Sequence, residues 1–380
     1  MSAAEVPRPD LEQRVRAAAE AGPPFLLTGP PGAGKTSLLL GLARSLERDG
    51  WSPVYLDLMG AASSPDRFVR AALDALSAGR FGDRLAEATE IRRLVDSGRP
   101  QHSQAVRAVM ALWASLDQAG GRPVALLLDE VTEIRSLAYF PGLREVDRVL
   151  ASAIAKRERG TVLATSFPTL AQRSFALDVL PAPPLTLVEV EHALPRGALG
   201  QAEAVVRASF GWARYVRVLI ERLGAGTPLA DAWALEMAKG GRLEALCHHT
   251  YEALLLRSRG YGMSKAVLEA VALEEGSNLK TLVSRLGRTP GATRDYLQWL
   301  VGVDALRMEK KRYFYVDGLL RVWVRLHATG HPASDIAVRQ AAAELLSTSP
   351  PDPATSSDAP PPTTPADRPV KRRDELMEID

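Results

Sequence analysis

At 380 residues and 46% apolar composition, the chain is long enough for two domains that bury substantial cores. A formal net charge of +2 excludes wholesale electrostatic attraction to nucleic acid or to an acidic membrane, so any such contact must be local. The single cysteine, Cys247, excludes an internal disulfide and a thiolate metal cluster. It fits a reducing, cytoplasmic setting. No uncharged apolar run reaches the ~20 residues that span a membrane. Met1–Asp10 is polar, so a soluble, unprocessed chain without membrane contact is expected.

From about residue 11 to residue 190 short strands alternate with helical stretches, the pattern of a parallel sheet covered by helices. Phe25–Thr28 reads as the first strand and runs into a glycine-rich loop. Lys35–Glu47 follows as a helix, with Leu38, Leu39, Leu42 and Leu46 at helical spacing. Further strands are expected at Val54–Leu58, Val124–Leu128, Thr161–Thr165 and Leu185–Val188, with a long helical insertion at Pro65–Gln118. From Gly200 to Ala328 helices dominate, broken by Gly and Pro. They end in a hairpin of Leu306–Glu309 and Arg312–Val316 that turns at Lys310–Lys311. Over Ser347–Pro369 the composition is almost wholly Ser, Pro, Thr, Asp and Ala, which cannot bury enough apolar surface to offset its ordering entropy.

The residues Gly29-Pro30-Pro31-Gly32-Ala33-Gly34-Lys35-Thr36 satisfy the phosphate-loop pattern in full. Glycines allow successive backbone N–H groups to turn inward around phosphates. Lys35 is expected to reach the β- and γ-oxygens, and the Thr36 hydroxyl to hold Mg²⁺. Ser37 follows on the same helix turn. The loop predicts binding of a nucleoside triphosphate, ATP with Mg²⁺. The apolar strand Val124–Leu128 ends in Asp129-Glu130. Asp129 is expected beside the metal and Glu130 as the base that deprotonates an attacking water. Thr165 and Ser166, at the end of the fourth strand, offer a hydroxyl to the γ-phosphate or the water. Residue pattern does not separate the two.

These spacings resemble the AAA+ and STAND branches of P-loop ATPases. The resemblance implies a five-stranded parallel sheet in the order 5-1-4-3-2. Phe210-Gly211-Trp212-Ala213-Arg214 looks like the Gly-x-x-Arg lid signature of archaeal initiators and clamp loaders, which would make Arg214 a sensor of the γ-phosphate. Ala213 departs from the Gly-x-Pro usual in STAND-like relatives. A trans-acting arginine is not singled out among Arg135, Arg144, Arg148, Arg157, Arg159 and Arg173, so a ring-forming homo-oligomer and a monomeric switch both stay open.

Tyr251–Val316 resembles a winged helix, with helices near Tyr251–Ser258, Lys265–Glu274 and Leu279–Leu286. A further helix opens at Thr289-Pro290, a cap residue followed by proline at the first helical position. Thr293, Arg294 and Gln298 are expected on its outer side, and Lys310-Lys311-Arg312 at the tip of the wing. The closing run Phe314–Trp323 is similar to the ending of the archaeal-type ATPases. From Arg257 to Arg325 there are 13 Lys/Arg against 7 Asp/Glu, so Arg294, Lys310, Lys311 and Arg312 are candidates for phosphates of double-stranded DNA. Protein docking is the competing use of such a module. His248-His249 lack a third ligand at metal-binding spacing. The terminal Lys371–Asp380 carries Leu376, Met377 and Ile379, which could seat in a protein partner's groove.

The expected organisation is a flexible N-terminus over 1–10, an α/β P-loop ATPase core over 11–195 and a helical lid over 196–250. A winged-helix domain with closing helices follows over 251–346, and a disordered tail over 347–380.

Overall fold

The computed structural model describes residues 6–77, 85–98, 101–119, 121–328 and 333–347. Helix α1 (Pro9–Ala21) leads into β1 (Phe25–Thr28), the glycine-rich loop, α2 (Lys35–Arg48) and β2 (Ser52–Asp57). The insertion then supplies α3 (Leu58–Ala61), α4 (Pro65–Ser77), α5 (Leu85–Asp96), α6 (His102–Ala114) and the two-residue β3 (Gln118–Ala119). Strand β4 (Arg122–Asp129) is followed by a 3₁₀ segment Val131–Tyr139, α7 (Val146–Ile154), β5 (Thr161–Thr165), α8 (Pro168–Ser174) and β6 (Asp178–Pro181).

Five strands pair in parallel in the order β2-β4-β5-β1-β6, with β3 antiparallel to the start of β4. Setting β3 aside, this is the expected 5-1-4-3-2. Strand β1 is buried at every position, and so is β4 from Val124 onward. Such unbroken apolar runs are what a sheet covered on both faces requires. Successive side chains alternate between two cores. Leu27, Ala125 and Leu127 join α1 and α2 on one face, whereas Leu26, Leu126 and Leu128 pack against the insertion on the other. Each fully buried leucine contributes about 1.5–3 kcal/mol. Arg157 closes the second face from within, donating to Thr161 Oγ1 and to the carbonyls of Trp113, Leu116 and Val124. That engagement withdraws it from the candidate trans-acting arginines.

The C-terminal region is helical: α9 (Leu187–Ala193), α10 (Ala202–Ser209), α11 (Ala213–Gly224), α12 (Leu229–Met237), α13 (Arg242–Arg257), α14 (Tyr261–Leu273), α15 (Leu279–Leu286) and α16 (Pro290–Gly302). The hairpin β7 (Leu306–Glu309) and β8 (Arg312–Tyr315) follows, then α17 (Gly318–Trp323) and α18 (Asp335–Ser347). The first core runs without a break from α1 and α2 through these helices to Val338 and Ala342. The described residues up to Ser347 form one compact unit. The expected disordered tail and its terminal peptide lie outside the described residues. Among the described residues, no helix is long and apolar enough to cross a membrane.

Several expectations need correction. The fifth strand is β6, not Leu185–Val188. Thr186 instead caps α9 through a reciprocal box with Glu189. The edge strand Asp178-Val179-Leu180-Pro181 is mostly exposed and carries little apolar signal, while the apolar Leu187 and Val188 belong to the first turn of α9. The boundary at 250/251 falls inside the unbroken α13. The flexible N-terminus does not extend to residue 10. Arg8 is buried and bonded to Glu189 and to the carbonyls of Ala33 and Pro183, and α1 begins at Pro9. Thr293 is 1% exposed rather than outward-facing, and its hydroxyl donates to the Thr289 carbonyl.

Candidate nucleotide site

The C-terminal end of β1 delivers the chain into the loop at the rim of the sheet, where parallel α/β folds bind ligands. Gly32 (φ +83°) and Gly34 (φ +93°) occupy the left-handed region that other residues enter only under strain. Gly32 is also fixed by space, because an added Cβ would lie 1.9 Å from Arg214 Cδ. Gly34 is the N-cap of α2, so the unpaired first-turn N–H groups of that helix open towards the site. Pro31, Gly32, Gly34, Lys35, Thr36 and Ser37 line a cleft of about 1530 Å³. Ala33 packs into the core instead, and Gly29 and Pro30 present carbonyls to Lys35.

Lys35 is 4% exposed. Its Nζ donates to Gly29 O at 2.9 Å, Pro30 O at 3.2 Å and Ser166 Oγ at 2.9 Å, with Glu130 Oε1 at 3.8 Å. Burial pulls the ammonium below its ordinary pKa, opposed in part by the charges of Glu130 and Asp129. A polyanion is the ligand that such a desolvated cation, a helix N-terminus and inward-turned glycines fit.

Asp129 ends β4 opposite Asp57 of β2. Its Oδ1 accepts the Glu130 N–H at 3.0 Å. Its Oδ2 accepts Thr36 Oγ1–H at 2.6 Å and the Tyr55 hydroxyl at 3.2 Å. Burial first, and then the charge of Asp129, push Tyr55 well up, so it remains a hydroxyl donor. Tyr55 has no local sequence signal, because the carboxylate it serves lies 74 positions further along the chain. Glu130 sits at φ +47°, a left-handed conformation uncommon for a glutamate, which turns its side chain to Ser166. It accepts from Ser166 N at 2.9 Å and from the Ser166 hydroxyl.

The structure separates Thr165 from Ser166. Ser166 lines the cleft and bonds both Lys35 and Glu130. Thr165 is fully buried with its Oγ1 accepting from Phe167 N at 3.0 Å and lying 3.5 Å from Thr132 Oγ1. Its expected ligand contact is therefore withdrawn: the strand's alternation turns one hydroxyl to the site and the other to the core.

Helix α11 brings Arg214 across the loop, with its backbone N–H on Gly32 O at 3.1 Å. The guanidinium donates to Thr250 Oγ1 at 2.8 Å, Asp317 Oδ2 at 2.8 Å and the Tyr215 hydroxyl. Arg257, at the end of α13, also lines the cleft. It pairs with Glu133 at 2.6 Å and lies over the Phe167 ring at 4.7 Å.

The sequence of residues 9–163 matches the family model of the AAA ATPase domain. That stretch of the chain is thus similar to an AAA ATPase domain. Among solved structures, the Walker-type ATPase of Pyrococcus abyssi is similar over 84% of this chain and 96% of its own. Identity is 17% and the TM-score 0.63, which shows a common fold. Cdc6p from Pyrobaculum aerophilum is similar over 91% of this chain and 96% of its own, at 13% identity. Its TM-score of 0.41 is too low to argue from. No curated protein matches the sequence.

Away from the cleft, α14, α15 and α16 stack beside the β7–β8 hairpin, with Asn278 bridging to Arg312. Arg294, Lys310, Lys311 and Arg312 are all exposed. Arg312 is partly committed, since Nη1 donates to Gly276 O at 2.8 Å. Lys310 (φ +48°) and Lys311 (φ +65°) form the two-residue left-handed turn of a tight hairpin. His248 stacks on Trp323 at 5.4 Å, while His249 lines the cleft.

Proposed function

We propose that the chain is an ATP-hydrolysing switch whose nucleotide state is read by its helical C-terminal region. One observation carries this: Lys35, Thr36, Asp129, Glu130 and Ser166, from the start of α2 and from the ends of β4 and β5, join in a single hydrogen-bonded network at the wall of one cleft. Thr36 Oγ1 and Asp129 Oδ2 would hold Mg²⁺, which when bound neutralises charge on the β- and γ-phosphates. Lys35 supplies the point charge for those oxygens. Water oxygen attacks Pγ as the bond from Pγ to the β–γ bridging oxygen breaks, and a Glu130 carboxylate oxygen takes the water proton. Ser166 holds that carboxylate in place from its backbone and its hydroxyl. Arg214, which lies over Gly32, would sense the terminal phosphate.

Glu130→Gln is expected to retain ATP binding within about threefold and to lose at least about 100-fold in single-turnover hydrolysis. Hydrolysis at the parental rate would remove Glu130 as the base. Slow turnover in the parental chain as well would favour a nucleotide-stabilised scaffold over an enzyme.

The hairpin supports a second element of the reading, a winged helix that docks double-stranded DNA. Left-handed backbone costs about 1–2 kcal/mol per non-glycine residue, and Asn-Gly would relieve it, yet two lysines occupy the turn. A charged tip kept at that cost suits phosphate contact through Lys310 and Lys311, with Arg294 on α16 beside it. ATPase rate and particle mass, measured together with and without duplex DNA, test this. DNA that changes neither, and that does not bind at low salt, leaves protein docking as the use of the wing.

A further inference from the structure

Arg214 and Asp317 form a buried ion pair at the meeting point of the phosphate loop, α11, α13 and the junction between β8 and α17. The two side chains are 11% and 6% exposed. The Arg214 side chain crosses Gly32 closely enough that no Cβ fits there. Its Nη1 is spent on Thr250 and its Nη2 on Asp317 and Tyr215. Its Nε is buried and has no acceptor, one of the few such side-chain atoms among the described residues. A buried donor without a partner at the wall of the cleft marks where an oxygen of the ligand belongs.

Asp317 divides its two oxygens between two tasks. Oδ1 caps α17, accepting from Leu319 N at 3.0 Å and Leu320 N at 3.2 Å. Oδ2 accepts from Arg214 and from the Tyr215 hydroxyl at 2.7 Å. Tyr215 is fully buried, and burial, then Asp317, push its hydroxyl far up, so it stays a donor. The carboxylate therefore presents to Arg214 an anionic oxygen like that of a phosphate, supplied by the segment that joins the hairpin to the closing helix.

We propose that Asp317 competes with the terminal phosphate of a bound nucleoside triphosphate for Arg214, so that triphosphate binding loosens the β8–α17 junction from the lid. This rests on the reading of the cleft as a triphosphate site. A dianionic phosphate over Gly32 offers Nε its missing acceptor and draws the guanidinium from Asp317. Asp317 keeps its cap and the Tyr215 hydroxyl but loses its counter-charge, and a buried carboxylate without one favours hydration. Coupling is reciprocal: whatever the pair subtracts from triphosphate affinity, the triphosphate subtracts from junction stability. A diphosphate lacks the competing group and leaves the pair intact.

Asp317→Asn tests this cleanly, because the amide oxygen preserves the α17 cap while the amide nitrogen replaces the oxygen that faces Arg214. Calorimetry with a non-hydrolysable ATP analogue is expected to give about tenfold tighter binding than the parental chain, with ADP affinity changed less than about twofold. Adding Arg214→Ala should erase the gain. In the unmodified chain, amide exchange at Leu319 and Leu320 should rise when the analogue is added and not when ADP is added. Equal analogue affinities for the parental chain and Asp317→Asn, or exchange at α17 that ignores the analogue, would overturn the proposal and leave the triphosphate site standing. A parental chain that binds no analogue overturns both.

Discussion

The loop end of the sheet and the C-terminal junction meet at the same cleft but are held by different forces. Around Lys35, Asp129 and Ser166 the side chains are set by backbone register. Thr28 pairs with Thr165 and Asp57 with Asp129, so the strand ends sit level before any side chain forms a bond. Where the C-terminal region attaches, by contrast, Arg214–Asp317, Arg257–Glu133 and Thr169–Asp304 are side-chain contacts between elements far apart in the chain. Ladders of hydrogen bonds break together, whereas single ion pairs exchange partners when a competing charge arrives. One region is thus suited to fixing chemistry and the other to responding to it.

Lys35→Ala is the largest test of the first half of that contrast. Removing the buried ammonium leaves Ser166 and two loop carbonyls without their donor, while the register around them persists. ATP affinity is expected to fall at least about 100-fold, with a far-ultraviolet circular dichroism spectrum unchanged. A global loss of structure would instead mean that the lysine, not the ladder, organises the loop.

Thr165 and Ser166 sharpen the contrast at one strand end. Ser166→Ala removes a hydroxyl from Lys35 and Glu130, and single-turnover hydrolysis should drop about tenfold with thermal stability little changed. Thr165→Val removes the acceptor for Phe167 N inside the core, so it should cost about 1–2 kcal/mol in urea unfolding while turnover stays within about twofold. The reverse assignment of effects would put Thr165 back in the site.

How much of this was legible beforehand follows the same division. The phosphate loop, Asp129-Glu130 and the strand order carry their meaning in contiguous residues, because the mechanism demands a strand, a glycine turn and a helix in sequence. Choosing Ser166 over Thr165 needs to know which way the last residue of β5 points, and adjacent hydroxyls look alike without the sheet. Tyr55, Arg8 and Asp317 act through partners 74, 181 and 103 positions away, and no local pattern marks them. Strand β6 was displaced because an edge strand needs little apolar sequence, while Thr186 and Glu189 disguised a helix start as a strand.

The smallest expected effect concerns the second attachment of the C-terminal region. Asp304, at φ +56° between α16 and β7, accepts from Thr169 N at 3.1 Å and from the Thr169 hydroxyl at 2.5 Å. Burial pushes its carboxyl up to about 6, against the opposing hydrogen bonds of Thr169 and the charge of Arg173. The folded state therefore holds a proton that the unfolded chain gives up at lower pH. Its stability contribution is fully present below about pH 4, declines through pH 6 and is lost above it. Asp304→Asn cannot ionise, tolerates the left-handed backbone and keeps an acceptor and a donor for Thr169. It should be more stable than the parental chain by about 1 kcal/mol at pH 7.5, and the gain should shrink steadily below pH 6 and vanish only below about pH 3.5. Urea midpoints across this pH range measure this directly. A pH-independent difference would mean that Asp304 is held as a carboxylate by Arg173, making the α8 contact a second ion pair rather than a neutral hinge.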